Sequence, residues 1–440
     1  MAQVIGSDAG EVLQGGPDPD LILGLGGDDE LQGDDGSDLL DGGPGRDRVF
    51  AGQGDDLLVG GTAPEDDLNA DDDLLDGGDG SDWVIYANQP LLVDLSQGRA
   101  QALFQSFDQL VAIENVAASG TLVGDGGDNI LLGLGLQPDE FTGGPGDDLM
   151  IGSDAVHRDT FPGFDTVNYG NDPAGVSVDL SLGAAVDGFG GQDRIAGIEA
   201  VFGSQFADTL IGDAGPNYLA GLGGADNIDA GDASDLLAGG EGEDALDGGE
   251  GSDWAFSTGT ETIDLSQGTA TDPFSGEVDT LVGIENVLSF GFDDVLIGDA
   301  GSNRFAFSET NSVMTGGEGG DRFLQLQPGQ EFSLETVTDF ERGVDLLQFQ
   351  ADVRSVDQPL EAGPLDPSLF AVGAAADADD LFIFDPALST LFIDRDGSGD
   401  GEAVPTLDLG GVTDLAASDI EIVPADFLGS FLLGGDEVLV

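Results

Sequence analysis

The chain has no cysteine and no lysine, and only one histidine, two tryptophans and three tyrosines among its 440 residues. Without cysteine there are neither disulfides nor thiolate metal sites, and the redox state of the compartment leaves no mark. The lone histidine, His157, cannot supply the paired ligands of an H-E-x-x-H zinc site, and no G-x-S-x-G nucleophile turn occurs. His157 stands beside Arg158 in an irregular stretch and reads as a surface residue. No run of eighteen apolar residues exists, so no membrane-spanning helix is expected. The first ten residues lack a basic stretch followed by an apolar core, so a cleaved Sec signal is not expected. Basic charge is scarce: ten arginines face 88 acidic side chains, for a net charge of -78. That balance argues against nucleic acid or an anionic membrane as partner. It also opposes compaction unless cations neutralise it.

Two things are abundant. Hydrophobic residues make up 40% of the chain, too many for an acidic disordered tail, and glycine occurs 74 times. The glycines are periodic. From Gly6 a unit of nine recurs at positions 6, 15, 24, 33, 42 and 51, as in GDDGSDLLD and GGPGRDRVF. The register loosens through Gly60 to Asp76 and returns as GGDGSDWVI at Gly77. A second block covers 203–256, and shorter pieces lie at 124–132, 143–151 and 289–324. The consensus is G-G-x-G-x-D-x-U-x, where U is large and apolar. A flexible linker has no reason to place an apolar residue at every ninth position.

Each place has a physical role. Glycines at the first, second and fourth places let the backbone curl and turn its carbonyl oxygens to one side. The sixth-place aspartate adds a carboxylate. Hard oxygens of both kinds suit Ca²⁺. The candidate ligands are Asp20, Asp29, Asp38, Asp47, Asp56, Asp73, Asp82, Asp148, Asp208, Asp226, Asp235, Asp244, Asp253, Asp294 and Asp321. Carbonyls are expected from Gly24, Gly26, Gly33, Gly36, Gly42, Gly43, Gly45, Gly52 and Gly54, and from Gly221, Gly223, Gly239, Gly240, Gly242, Gly248, Gly249 and Gly251. The last three places alternate outward, inward, outward as a short strand does. Leu40, Val49, Leu58, Leu210, Leu219 and Ile228 should therefore stack inward. Two nonads make one coil, so matching aspartates lie 18 residues apart in sequence and about 4.8 Å apart in space. Bare carboxylates that close repel, which makes a cation between them a condition of folding.

The repeat resembles that of the RTX family, the hemolysin-type calcium-binding proteins, across nearly the whole chain. The resemblance implies an all-β, right-handed parallel β-roll or β-helix solenoid, ending in a C-terminal β-rich cap and secretion domain. Glu11, Asn129, Asn217, Asn303 and Ser312 stand where aspartate is expected, so those turns should bind weakly or not at all. Counting turns gives on the order of ten to fifteen Ca²⁺ ions.

A longer period overlies the first. LLVDLSQG, VSVDLSLG and ETIDLSQG place Asp94, Asp179 and Asp264 85 residues apart, each followed by I-E-x-V at Ile113, Ile198 or Ile284. These segments read as coils without calcium turns plus a short excursion, since about 35 residues cannot build a core alone. V-D-L-S reads as strand. Trp83 and Trp254 hold the outward seventh place just before two of them. The expected organisation is a first β-roll block at 1–85, non-calcium coils with degenerate units (124–151) at 86–202, a second block at 203–256, insert coils and degenerate units at 257–324, and the cap and secretion region at 325–440.

Within that last region, Asp394, Asp396, Ser398 and Asp400 open like an EF-hand loop, but Pro405 stands where a bidentate glutamate is needed, so a tight polar turn is expected. The tail FLGSFLLGGDEVLV resembles the uncleaved signal of type I (ABC transporter) secretion. The family resemblance thus implies a secreted, extracellular or cell-surface protein. RTX proteins often carry a catalytic domain before the repeats, but here the repeats begin at Gly6, and no carboxylate pair stands out as a glycosidase site. The expectation is therefore a calcium-binding structural or adhesive protein, with cell-surface polysaccharide or its own copies as partners. A β-helix lyase or epimerase acting on polysaccharide is the alternative, as is a repeat module of a larger toxin or enzyme system.

Overall fold

The structure, a computed structural model, describes residues 2–59, 72–102, 107–135, 137–153, 164–308, 311–326, 334–353, 360–374, 380–394 and 403–424. Among these residues the fold is all-β: short strands, four single-turn 3-10 helices and no α-helix. The chain divides into two compact units, Met1–Leu210 and Ile211–Val440.

In the first unit each nonad contributes a strand, three or six residues long except for the last. These are β1 (Gln3–Ile5), β2 (Val12–Gln14), β3 (Leu21–Leu23), β4 (Glu30–Asp35), β5 (Leu39–Asp41), β6 (Arg48–Gln53), β7 (Leu57–Val59), β8 (Leu74–Asp79) and β9 (Trp83–Asp94). Each pairs in parallel with the next strand but one. Ile22 lies beside Leu40, Leu40 beside Leu58 and Leu58 beside Val84; on the other side Leu31 lies beside Val49 and Val49 beside Leu75. Two nonads therefore make one coil, and the U residues form the core: all seven of these are buried. Each such side chain contributes about 1.5–3 kcal/mol by leaving water. The loosened stretch adds eight residues to one coil, so Asp47 meets Asp73 26 rather than 18 residues on, and the ladder resumes in register.

The 85-residue period proves to be a β-meander. After Trp83, β9 runs on to Asp94, turns, and pairs antiparallel with β10 (Arg99–Ala102), which pairs antiparallel with β11 (Phe107–Val111). β11 then lies parallel to β8, with Leu110 beside Leu75. The excursion thus returns to the sheet edge that the nonads built. The turn explains the repeated D-L-S. Asp94 ends the strand instead of continuing it, and its Oδ1 accepts from Gln97 N (3.0 Å) and Ser96 Oγ (2.6 Å). Asp179 and Asp264 make the same bonds at 177–186 and 262–271. In the first two copies a tyrosine braces the return strand: Tyr86 O–H donates to Asp108 (2.8 Å) and Tyr169 O–H to Asp193 (3.1 Å).

The second unit repeats this plan. Strands Tyr218–Gly223, Leu236–Glu241, Trp254–Ser257, Asn286–Ser289, Arg304–Phe307, Arg322–Gln325 and Leu346–Gln350 pair successively in parallel. Phe305 stacks on Phe323 in the core, with ring centroids 5.6 Å apart. Trp254 is buried (1% exposed), and Trp83 is half-buried. Strands Phe382–Asp385, Thr390–Ile393 and Val404–Asp408 form an antiparallel sheet that joins the roll through Glu335–Val337. Pro405 sits opposite Phe392 in it. Arg342 ties this end together through Asp419 (2.9 Å) and Asp414. His157, Asp396, Ser398, Asp400 and the tail from 427 lie outside the described residues.

Candidate metal centre

All fifteen sixth-place aspartates are buried. Burial follows from the turn: the glycine curl folds the carboxylate under the backbone, where it meets the neighbouring coil. One oxygen is used for register. Asp38 Oδ1 accepts the amide of Asp20 (2.7 Å), Asp56 that of Asp38 (2.7 Å), and Asp82 that of Asp56 (2.8 Å). On the opposite edge Asp47 accepts from Asp29 (2.8 Å) and Asp73 from Asp47 (2.7 Å). In the second unit Asp235 accepts from Asn217, Asp244 from Asp226, Asp253 from Asp235 and Asp321 from Asn303, at 2.7–2.9 Å. In the first unit Asp148 accepts from Asn129 (2.8 Å).

The other oxygen has no such use. Oδ2 of Asp29, Asp38, Asp56, Asp82, Asp148, Asp235, Asp244, Asp253 and Asp321 is buried without a hydrogen-bond partner. A buried carboxylate oxygen with no donor costs more than the roughly 1–3 kcal/mol of a neutral polar group. It is not alone. A Cβ placed on Gly33 would lie 2.5 Å from Asp38 Oδ2 and 2.3 Å from the Ala51 carbonyl oxygen, one coil on. Carbonyl oxygens also line the turn's other places: a Cβ on Gly54 would fall 1.6 Å from Gly36 O, and one on Gly242 1.4 Å from Gly224 O. Both glycines have φ in the left-handed region, +134° and +142°. Only glycine meets both demands.

Buried carboxylate oxygens without donors thus lie beside carbonyl oxygens, which is the chemistry of a hard-cation cradle. Among the described residues no group of three or more acidic or histidine side chains gathers as a metal site by itself. An ion would take one carboxylate per nonad and draw the rest of its shell from the main chain, as Ca²⁺ tolerates. The residues fit that ion.

Without a cation, charge in these turns is resisted. Burial is the first cause in each case. It pushes the carboxyls of Asp82, Asp139 and Asp321 up to about 6, Asp148 and Asp253 to about 7, and Asp235 to about 8. Neighbouring acids add to it, Asp253 acting on Asp235 and Glu285 on Asp253.

Two expected ligands are already satisfied by protein. Asp208 accepts from Ser204 N, Ser204 Oγ and Val176 N, and Asp294 from Ser289 Oγ and Glu261 N. Their turns carry Phe206 and Phe292 in place of the fourth glycine. Asp20 similarly accepts from Gly16 N (2.9 Å) and Ala2 N. The asparagine turns close on themselves. Asn303 Oδ1 accepts from Asp299 N and its Nδ2 donates to Glu285 O, both at 2.8 Å, while Asp299 takes the amide of Gly301 (2.7 Å). Asn129 and Asn217 repeat the Oδ1 bond, with Asp125 and Asp213. An N–H thus does locally what a cation would do.

Further acids extend the ladders beyond the nonads, among them Asp345, which accepts the amide of Asp321 (2.9 Å). Asp108, Asp193 and Asp279 accept the amides of Asp73, Asp148 and Asp244 (2.9–3.0 Å). Glu114, Glu199 and Glu285 accept those of Asp82, Asp165 and Asp253 (2.8–3.2 Å). The signal for these six is D-x-[L/I]-x-x-I-E, present three times at Asp108, Asp193 and Asp279.

Among known proteins, the family model of the RTX calcium-binding nonapeptide repeat matches residues 5–40, 32–62, 68–88, 202–237 and 221–255. These are the stretches whose turns hold most of the open oxygens. No curated protein matches the chain. The matched segments thus carry the RTX calcium-binding nonapeptide repeat, and their strands pair in parallel as in a β-roll.

Proposed function

We propose that this is a secreted structural or adhesive protein whose rolls fold when extracellular Ca²⁺ enters the turns. The observation that carries this reading is the row of buried, partnerless Oδ2 atoms beside convergent carbonyls. Asp29, Asp38, Asp56, Asp82, Asp235, Asp244 and Asp253 hold ions in the two matched blocks, with Asp47, Asp73 and Asp226 in the same ladders. Asp148 and Asp321 hold them outside those blocks, while Asp20, Asp208 and Asp294 contribute least because protein donors already engage them. Each ion supplies positive charge where the fold has buried negative charge, and its binding energy becomes folding energy. On the order of ten to fifteen such ions cancel about 20–30 charges, and salt screens the remainder.

The chain leaves the cell unfolded through a type I exporter, where calcium is scarce, and folds outside. Sites of about 10⁻⁴–10⁻³ M suffice there. Its task is then contact: with cell-surface polysaccharide or with further copies of itself. Among the described residues no helix is long and apolar enough to cross a membrane. Sedimentation velocity on calcium-loaded and calcium-free protein, with and without an anionic polysaccharide, tests the role. Calcium-dependent assembly or co-sedimentation is expected. An inert monomer in both states, or depolymerising activity on polyuronates, would overturn the structural reading.

A further inference from the structure

The three meanders differ at the position that braces the return strand. Tyr86 and Tyr169 each fill the space behind the return strand and donate to Asp108 or Asp193. The third copy has Ser257 there, four residues after Asp253 just as Tyr86 follows Asp82. Serine is too short to reach across. Asp279 keeps its bond from Asp244 N (2.9 Å) but receives no hydroxyl. A cavity of about 440 Å³ opens in the vacated space, and Ser257 lines it. Ser257 is 4% exposed, and its Oγ has no hydrogen-bond partner. Burial pushes the nearby Glu261 carboxyl up, and the Ser257 hydroxyl partly offsets that rise.

The lining has two characters. Glu261, Glu277, Asp279 and Asp272 bring carboxylates, and none of the residues lining the cavity is basic. Tyr218 and Phe256 bring aromatic rings, 6.3 Å apart and edge to face. The volume is that of a small-molecule pocket, far beyond the share of one ion or water. Carboxylates select a cation, and aromatic faces favour one that carries its charge on a poorly hydrated organic group. We propose that this cavity is a binding site for a small organic ammonium ion with an apolar arm, its charge held by Glu261 and Asp279 and its arm lying against Phe256 and Tyr218. Gly239, Gly240 and Gly242 of one calcium turn also line the cavity, and the site does not depend on the task the roll performs outside the cell.

The test is isothermal titration of the calcium-loaded full chain with phenethylammonium and with its uncharged counterpart, 2-phenylethanol. Saturable binding of the amine and none of the alcohol is expected. Ser257→Tyr restores the residue type of the other two copies and removes no carboxylate. It should keep the calcium-induced circular dichroism, melt no lower than the parent, and bind the amine at least about tenfold more weakly. Should that variant not fold, Glu261→Gln gives the same reading, with weakened binding expected. Equal amine binding by parent and variant would mean a diffuse acidic surface and overturn the proposal. So would equal binding of the alcohol, displacement of the amine by calcium beyond that needed for folding, or no saturable binding at all.

Discussion

Protons should substitute for calcium. With no cation bound, the folded roll holds Asp235 near a pKa of about 8, Asp148 and Asp253 near about 7, and Asp82, Asp139 and Asp321 near about 6, all through burial. The unfolded chain titrates its aspartates near about 3.9. A carboxyl raised in the folded state takes up a proton on folding. Its favourable contribution is full below about pH 3.9 and is lost as pH rises through 6 to 8. For Asp235 alone the shift of about four units is worth on the order of 5 kcal/mol between those limits. The other five sit in more solvated turns, so each counts for less than its shift implies. The assay is far-UV circular dichroism of calcium-stripped protein from pH 8.5 to 5, above the isoelectric point of about 4.1. The β signal should grow as pH falls, mostly between 8 and 6. Salt at about 1 M shortens the Debye length to about 3 Å and relieves surface repulsion, but it leaves burial untouched. A signal that is flat or falls on acidification refutes the reasoning, as does full recovery by salt alone at pH 8.5.

Other perturbations follow from the same geometry. Asn303→Asp removes the donor to Glu285 O and should cost the calcium-free second unit about 1–3 kcal/mol while adding one bound ion, read by equilibrium dialysis; an unchanged ion count would contradict the self-closing turn. Gly54→Ala combines φ of +134° with a carbonyl 1.6 Å from the new Cβ, so calcium-induced folding of the first unit should lose about 3 kcal/mol or more; a melting curve like the parent's would count against the packed turn. Leu40→Ala deletes a fully buried stack residue and should cost about 2–5 kcal/mol in calcium-loaded protein by denaturant titration, with ion binding per folded chain unchanged.

Much of this was legible in the sequence because the repeat is local. A nonad fixes its own turn by glycine and its own strand by U, and stacking at 18 residues then follows, so Leu40, Val49, Leu58, Leu210, Leu219 and Ile228 are buried as the period requires. The meanders were not legible in the same way. V-D-L-S reads as strand, yet Asp94 stops the strand by capping the turn with its side chain. Asp108, Asp193 and Asp279 join the ladder through pairings 35 to 45 residues apart, on strands without any glycine turn to mark them. The sixth-place rule also hides a distinction. Asp38 and Asp208 share a place in the repeat, but Ser204 satisfies one and nothing satisfies the second oxygen of the other. That difference lies at places two and four of the turn, Ser204 and Phe206 against Asp34 and Gly36.

The central claim is that the turns need calcium to bear their buried charge. A calcium titration at pH 8, followed by far-UV circular dichroism from full chelation upward, tests it most directly. An unfolded spectrum in chelator is expected, with a cooperative gain of β signal at about 10⁻⁴–10⁻³ M calcium. A fully formed β spectrum in chelator at that pH would contradict it.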